Sequence, residues 1–267
     1  MVDIHSHILP LIDDGSRSLD ESIVMLQKSI NSGVDAIVAT PHLFPGAYMA
    51  PTEQRDEGLK ELRAEVQRLQ LPIEIISGRE CYFSPEIYTY EKNLGKLTIN
   101  DDGKYLLIEA PMQEIPHYVD RMIFDIQVRG ITPIIAHAER YHEMIQNPNL
   151  LHKYINVGCL IQVNMGSLLG RYGKRIQHTA QIMLEHQMIH IIASDMHTQT
   201  SMPLGEGFGT LSQMVGQEEA QHLVEDRPRA VIQNRPVDRP APLTYHPKRS
   251  FKNLWGFFSK PFPSRDL

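Results

Sequence analysis

Short apolar runs rich in β-branched residues alternate with longer helix-period segments from the start of this chain to about residue 235. That alternation restricts the fold to parallel βα architectures, in which each return to a parallel neighbour needs a crossover helix. Seven runs qualify as strands: Met1–His5, Val34–Thr40, Ile73–Ser77, Tyr105–Glu109, Thr132–His137, Leu160–Asn164 and Ile189–Ser194. Between them the period predicts helices over Leu19–Ser32, behind the capping box Ser18-x-x-Glu21, and over Glu53–Leu69, Ile115–Arg129, Tyr141–Ile155 and Gln177–Gln187. Gly33, Gly130 and Gly158 stand where helices should end and strands begin, and Gly205–Val224 and Pro228–Asn234 are read as closing helices.

Composition sets the outer limits. At 267 residues, 42% hydrophobic and 22% charged, the chain can bury one large core, which excludes disorder as its global state. Lys+Arg number 26 against Asp+Glu 32, a net charge of -6, so no overall basic surface exists to hold a phosphate backbone, and no nucleic-acid partner is expected. No apolar run approaches the ~20 residues of a membrane helix. Two His and three Asp within MVDIHSHILPLIDDG argue against a signal peptide. A cytoplasmic protein is expected, with no targeting segment before the barrel. From Arg235 onward six prolines crowd in, and seven basic residues face only Asp238 and Asp266, a net +5. This reads as an appendage: a barrel over 1–237 and a Pro-rich basic and aromatic tail over 238–267.

Metal-ligand residue types stand at the C-terminal ends of six strands: His5-Ser6-His7, Thr40-Pro41-His42, Gly78-Arg79-Glu80, Glu109, His137-Ala138-Glu139-Arg140 and Ser194-Asp195-Met196-His197. In a parallel barrel these ends share one face, where active sites are built. His5 and His7 are two apart on an extended segment, so both side chains point the same way, and Asp195 and His197 repeat the spacing. Imidazole with carboxylate suits Zn, Mn or Fe. Nine or so candidate ligands exceed what one ion can take, and Glu80 is the natural bridge. His117, His142, His152, His178, His186, His190, His222 and His246 read as structural or solvated. The cysteines, Cys81 and Cys159, are read as reduced thiols; Ile87 and Met165 stand six residues after them, where a cysteine-dependent phosphatase would carry its arginine.

Asp3-Ile4-His5-Ser6-His7, Asp13-Asp14-Gly15, Thr40-Pro41-His42, His137-x-Glu139-Arg140 and Ser194-Asp195-x-His197 resemble the polymerase and histidinol phosphatase (PHP) superfamily, and most closely its bacterial protein-tyrosine phosphatase branch of the CpsB/YwqE type. The resemblance covers about residues 1–235. It implies an α/β, distorted (β/α)7 TIM-like barrel with two to three divalent transition-metal ions, often manganese, with iron or zinc as alternatives. It further implies hydrolysis of phosphotyrosine on a bacterial tyrosine kinase of the capsule and exopolysaccharide machinery. Carried over, His5, His7, Glu80 and Asp195 would hold a first ion; Glu80, Glu109 and His137 a second; Asp14, His42 and His197 a third. Asp14 enters through the resemblance alone, since Asp-Asp-Gly otherwise reads as a turn. Ala138 stands where the family usually has Pro and Leu43 where a second His is common. Met202-Pro203 stands where relatives often carry an arginine before the proline, so one phosphate-binding arginine is expected to be missing, unless Arg79 or Arg171 supplies it.

Arg140 is the expected phosphate clamp, since its planar fork can hold two oxygens; a loop salt bridge to Glu139 or Glu143 is the plain alternative. His42 or a water is expected to protonate the leaving oxygen. A PHP phosphoesterase of a small phosphomonoester such as histidinol phosphate, and a non-catalytic metal-binding partner of the polysaccharide machinery, are the other readings. In the tail, Lys248, Arg249, Lys252 and Lys260 interleave with Phe251, Trp255, Phe257, Phe258 and Phe262. That pattern suits peripheral docking to an acidic partner or a membrane surface, or a strap folded back on the barrel.

Overall fold

The structure is a computed structural model that describes residues 1–247. Its strands are β1 (Val2–Ser6), β2 (Ala36–Ala39), β3 (His42–Leu43), β4 (Glu74–Ser77), β5 (Glu80–Tyr82), β6 (Tyr105–Glu109), β7 (Thr132–Ile135), β8 (Leu160–Asn164) and β9 (Ile191–Ala193). All of them pair in parallel, in two ladders, β1-β2-β4 and β3-β5-β6-β7-β8-β9. Two ladders arise because two strands are broken. Pro41, which has no N–H to give, separates β2 from β3, and Gly78-Arg79 separates β4 from β5. The short second halves, β3 and β5, carry His42 and Glu80 and have too little periodicity to be read from sequence. Beyond β9, Ser6 bridges Met196 in parallel, His7 N donates to Met196 O (2.9 Å) and Asp195 N to His5 O (3.0 Å). The far end of the curled sheet thus lies against its first strand.

The crossover helices form where expected, with two interruptions. Ser18 caps Leu19–Asn31 by accepting from Glu21 N (3.1 Å), while Glu21 reaches back one residue further than a capping box would, to Arg17 N (3.0 Å). Thr52–Arg68 and Lys174–Glu185 follow the predicted spans closely, and Tyr118–Val128 buries Val119, Met122, Ile123 and Ile126, the i, i+3, i+4, i+7 stripe that packs on a sheet. The helix expected over Tyr141–Ile155 is instead His142–Gln146 and Leu151–Asn156, parted at Asn147-Pro148. Proline disfavours the helical conformation in the residue before it. The expected Gly205–Val224 helix is likewise broken at Gly216, whose φ is +86°.

Two apolar layers hold this together. One lies between sheet and helices. The other, made of Val2, Ile4, Ala36, Val38, Ile76, Tyr105, Leu107, Ile134, Leu160 and Ile191 among others, fills the opposite side of the strands, where Val231 and Ile232 of helix Arg227–Ile232 and Ile99 join it. Residues 235–247 run back over the surface: Tyr105 Oη donates to Arg235 O (2.6 Å), Arg239 to Gly158 O (2.8 Å), Leu243 N to His186 O (2.8 Å) and Tyr245 N to Asn149 Oδ1 (2.8 Å). The cations and aromatics predicted from Lys248 onward lie outside the described residues. Cys81 and Cys159 are buried free thiols, each pushed up to about 12 by burial.

Candidate metal centre

A register shift in β1 between Asp3 and Ser6 helps to bring His5 onto the polar end of the strands, with His7 just beyond. The chain then doubles back through Asp13-Asp14-Gly15. Asp13 Oδ2 lies 2.7 Å from His7 Nδ1 and accepts from His42 N (2.8 Å), while Oδ1 accepts from Gly15 N (2.9 Å). Only glycine fits at position 15, because a Cβ there would stand 2.2 Å from His7 O. β5 puts the fully buried Glu80 among four imidazoles: Oε1 is 2.8 Å from His137 Nε2, and Oε2 is 2.9 Å from His42 Nδ1 and 3.3 Å from both His5 Nε2 and His7 Nε2. Asp195 Oδ1 faces the same two histidines at 3.3 and 3.5 Å. Glu109 Oε1 stands 3.8 Å from His137 Nε2, and Asp14 Oδ1 stands 3.5 Å from His42 Nε2 and 3.7 Å from His197 Nε2. His137 (φ 33°) and Asp195 (φ 55°) hold left-handed backbone, a cost on the order of 1–3 kcal/mol each that the surrounding fold must carry.

These groups crowd together, and they satisfy one another only in part. Among the described residues Glu80 Oε2, His42 Nδ1 and His137 Nδ1 are buried with no hydrogen-bond partner; the 2.9 Å contact between the first two lacks hydrogen-bond angles. His5 Nε2 and His7 Nε2 point at each other across 3.3 Å. Nitrogen and carboxylate atoms aimed at shared points rather than at partners fit divalent transition metals. Four sets place one ligand atom per residue within 4.8 Å of one another: His7, Asp14, His42, His197; His5, His7, Glu80; His5, His137, Asp195; and His42, Glu80, Glu109. All nine carried-over residues enter these sets. The grouping differs from the expected one, since His7 joins the Asp14 set and His137 the His5–Asp195 set.

Electrostatics agree with a site that wants cations. Burial alone would push His5 down, yet Glu80 and Asp195 carry it up to about 9. His7 is likewise raised, burial being outweighed by Asp13, Asp195 and Glu80 together, and against burial the paired imidazoles hold Asp13 at about 2 and Asp195 and Glu80 far below the carboxylate range. Glu109 moves the other way, raised by burial and by the charge of Glu80. Without metal, protons on His5 and His7 offset the charge of the carboxylates they face.

Arg140 sits at the rim, about a third exposed, with Nη1 3.3 Å from Asp195 Oδ2 and its guanidinium over the Tyr172 ring at 5.4 Å. The alternative, a salt bridge to Glu139 or Glu143, does not form: Glu139 accepts from Ser167 Oγ and from Asn164 N (3.1 Å), and Glu143 accepts from Ile115 N (2.9 Å). Arg79 is buried and donates to Ala50 O (2.7 Å) and Pro51 O (3.0 Å), bracing the loop above His42. Three contributors were not singled out from sequence. They are Asp13, Gln162, whose Oε1 is 3.1 Å from His5 Nδ1 and accepts from His137 N (2.9 Å), and Asn164, which donates to Asp195 Oδ2 (2.7 Å). Two amides spaced i, i+2 at the end of an apolar strand were the available signal. His117 is exposed beside helix Tyr118–Val128, and His190 is buried at the start of β9, accepting from Ile161 N (3.1 Å) and pushed down to about 3 by burial and by Arg227 and Arg239.

Comparison with known proteins agrees with this geometry. A sequence model of the family described as capsular polysaccharide synthesis, CpsB/CapC, matches residues 1–233. The chain is 32% identical over 263 residues to the tyrosine-protein phosphatase YwqE of Bacillus subtilis, covering 97% of this chain and 100% of that protein. It is 31% identical to the tyrosine-protein phosphatase CpsB of Streptococcus pneumoniae, covering 88% and 99%. A solved structure described as one of the unique metal-dependent tyrosine phosphatases YwqE and CpsB superposes with a TM-score of 0.85 at 29% identity, over 92% of this chain and 100% of that one. Histidinol phosphate phosphatase from Lactococcus lactis shares the fold, with a TM-score of 0.52 at 11% identity.

Proposed function

The chain belongs to the CpsB/CapC family of capsular polysaccharide synthesis, and from that premise we propose that its metal centre hydrolyses phosphotyrosine on a kinase of the polysaccharide assembly machinery. The protein is a metal-dependent phosphomonoesterase of the tyrosine phosphatase class. The observation that carries the reading is Glu80, a buried carboxylate whose two oxygens face four imidazoles, in a chain whose relatives are tyrosine-protein phosphatases. We read the curled sheet as a distorted (β/α)7 barrel in which the second and third strands are each broken in two, over residues 1–237, with 238–267 as an appended tail. The reading includes a cytoplasmic location. Manganese is our choice of metal for this set of nitrogen and oxygen donors.

We assign His5, His7, Glu80 and Asp195 to a first ion, Glu80, Glu109 and His137 to a second, and Asp14, His42 and His197 to a third. Bound divalent ions supply charge neutralisation for a phosphoryl group and lower the pKa of water toward ~7. The chain's own residues do the rest. Asp13 fixes the ring of His7, and Gln162 that of His5, so each presents Nε2 to the centre. Among the described residues Arg140 Nε and Nη2 have no protein partner, and they can hold phosphoryl oxygens. Both nitrogens of His42 face carboxylates, so we assign it to holding metal. A tyrosine leaving group, with a pKa of ~10, needs little proton assistance.

A panel of phosphotyrosine peptide, histidinol phosphate and a 3′-phosphorylated oligonucleotide, run with manganese-loaded protein, tests the reading. Turnover of the peptide at least tenfold above the others is expected; preferential turnover of histidinol phosphate would replace it with the small-substrate alternative. Arg140→Ala should raise KM tenfold or more with metal content unchanged, because guanidinium is not a metal ligand; metal loss in that variant would overturn its assignment.

A further inference from the structure

Beside Asp195 lies a cavity of about 200 Å³ lined by Gly166, Arg171, Tyr172, Thr200, Ser201 and Met202. Its floor carries a carboxylate whose oxygens are already engaged, Oδ1 by His5 and His7 and Oδ2 by Asn164 and Arg140. Its wall carries a cation that is not. Among the described residues the exposed Arg171 guanidinium has no hydrogen bond and no ion pair, whereas Arg140 and Arg79, the arginines next to the metal centre, are tied to protein oxygens.

The loop that presents Arg171 is built rather than floppy. Gly170 (φ +80°) and Gly173 (φ +93°) bracket it in left-handed backbone, and Arg171 N donates to Gly166 O (2.9 Å) and Gly173 N to Gly170 O (3.2 Å). Tyr172 anchors the turn: its ring packs so tightly on Gly166 that a Cβ there would come within 3.1 Å, and it lies under the Arg140 guanidinium. One side chain of the pair is thus fixed against the arginine at the metal centre, and its neighbour is left at the cavity with its charge unpaired. The remaining wall adds the hydroxyl groups of Thr200 and Ser201.

We propose that Arg171 is a substrate-binding residue that receives an anionic group of the phosphosubstrate in this cavity. The inference rests on the phosphatase reading above and deepens it. A phosphomonoester brings two negative charges, and Arg140 has one of its donors committed to Asp195, so a second guanidinium at the cavity beside Asp195 gives the substrate a cation that no carboxylate among the described residues pairs with. The anion is either the phosphoryl group itself or a carboxylate next to the phosphotyrosine.

Three non-hydrolysable ligands separate these sources: phenylphosphonate, and phosphonomethyl-phenylalanine peptides with either acidic or neutral neighbours. Calorimetry on manganese-loaded wild type, Arg171→Ala and Arg171→Lys, with metal content and melting temperature measured alongside, reads the role directly. Arg171→Ala should bind about tenfold more weakly, with metal content and melting temperature unchanged, and Arg171→Lys should recover part of the loss. Weakening with all three ligands identifies the phosphoryl group as the anion, and weakening confined to the acidic peptide identifies a neighbouring carboxylate. Equal affinity of wild type and Arg171→Ala for all three overturns the proposal, and so does a loss that tracks lost metal or a lowered melting temperature. Absence of phosphotyrosine hydrolysis by the wild type would instead count against the phosphatase reading, since the binding comparison does not depend on turnover.

Discussion

The same strands build two opposite environments on one side of the sheet. Along β6 the side chains sharing a face run Tyr105, Leu107, Glu109, and along β8 they run Leu160, Gln162, Asn164. Toward the strand starts this face is a dry cluster in which Leu107, Ile134 and Ile191 have no exposed surface. Toward the strand ends it holds Glu80 and His5, equally buried but charged, with several donor atoms left without partners. The first region is complete in itself, since apolar contact needs no direction. The second costs free energy unless cations occupy it, because an unpaired buried charge is expensive. Packing at one end therefore supports a site that packing alone would not choose.

The sharpest way to break this contrast is at Glu80. Glu80→Gln keeps the volume and removes the charge facing four histidines; activity should fall by about three orders of magnitude or more, with at least one ion lost on metal analysis. Retained metal with retained activity would show that Glu80 does not bridge. Its counterpart at the dry end, Leu107→Ala, should cost about 2–5 kcal/mol of stability by denaturant unfolding while leaving metal stoichiometry and turnover at low temperature intact. A metal loss there would mean the two halves are not separable.

A third test uses pH. In metal-free protein the His5 pKa, raised to about 9 from 6.5, contributes stability that is fully present below 6.5 and lost as pH rises through 9. Protons also compete with metal for the same nitrogens, so metal binding strengthens over that window. The melting-temperature gap between manganese-loaded and chelator-treated protein should therefore widen from pH 6.5 to 9; a constant or narrowing gap would contradict the proton-for-metal exchange. The smallest effect is expected from His117→Ala, exposed and outside the cluster, whose activity and stability should stay within about 0.5 kcal/mol of wild type.

Much of this was legible in the residues. The β-branched runs located seven strands, since a two-residue period and a short apolar run are local properties. The ligand types after His5, His42, Glu80, Glu109, His137 and Asp195 announced a metal centre before any contact was known. Less legible were the breaks in strands and helices. Pro41 was seen as part of a motif but not as the point where β2 ends and β3 begins, and Pro148 was overridden by the apolar periodicity around it. Asp13 was passed over in favour of Asp14, because two adjacent aspartates in a turn carry no mark of which one faces His7 and which one His197.

The sequence by itself therefore determined the parallel βα order and the chemical type of the site, because both follow from local residue patterns and from the rule that strand ends share a face. Tertiary structure alone decided which donor atoms meet. Glu80 Oε1 reaches His137 Nε2 across 57 residues, Asp195 Oδ2 accepts from Asn164 across 31, and Arg140 pairs with Asp195 rather than with its neighbour Glu139. Those meetings depend on the register of parallel strands brought together by helices, and on left-handed backbone at His137 and Asp195 that no β-strand or helix pattern in the sequence announces.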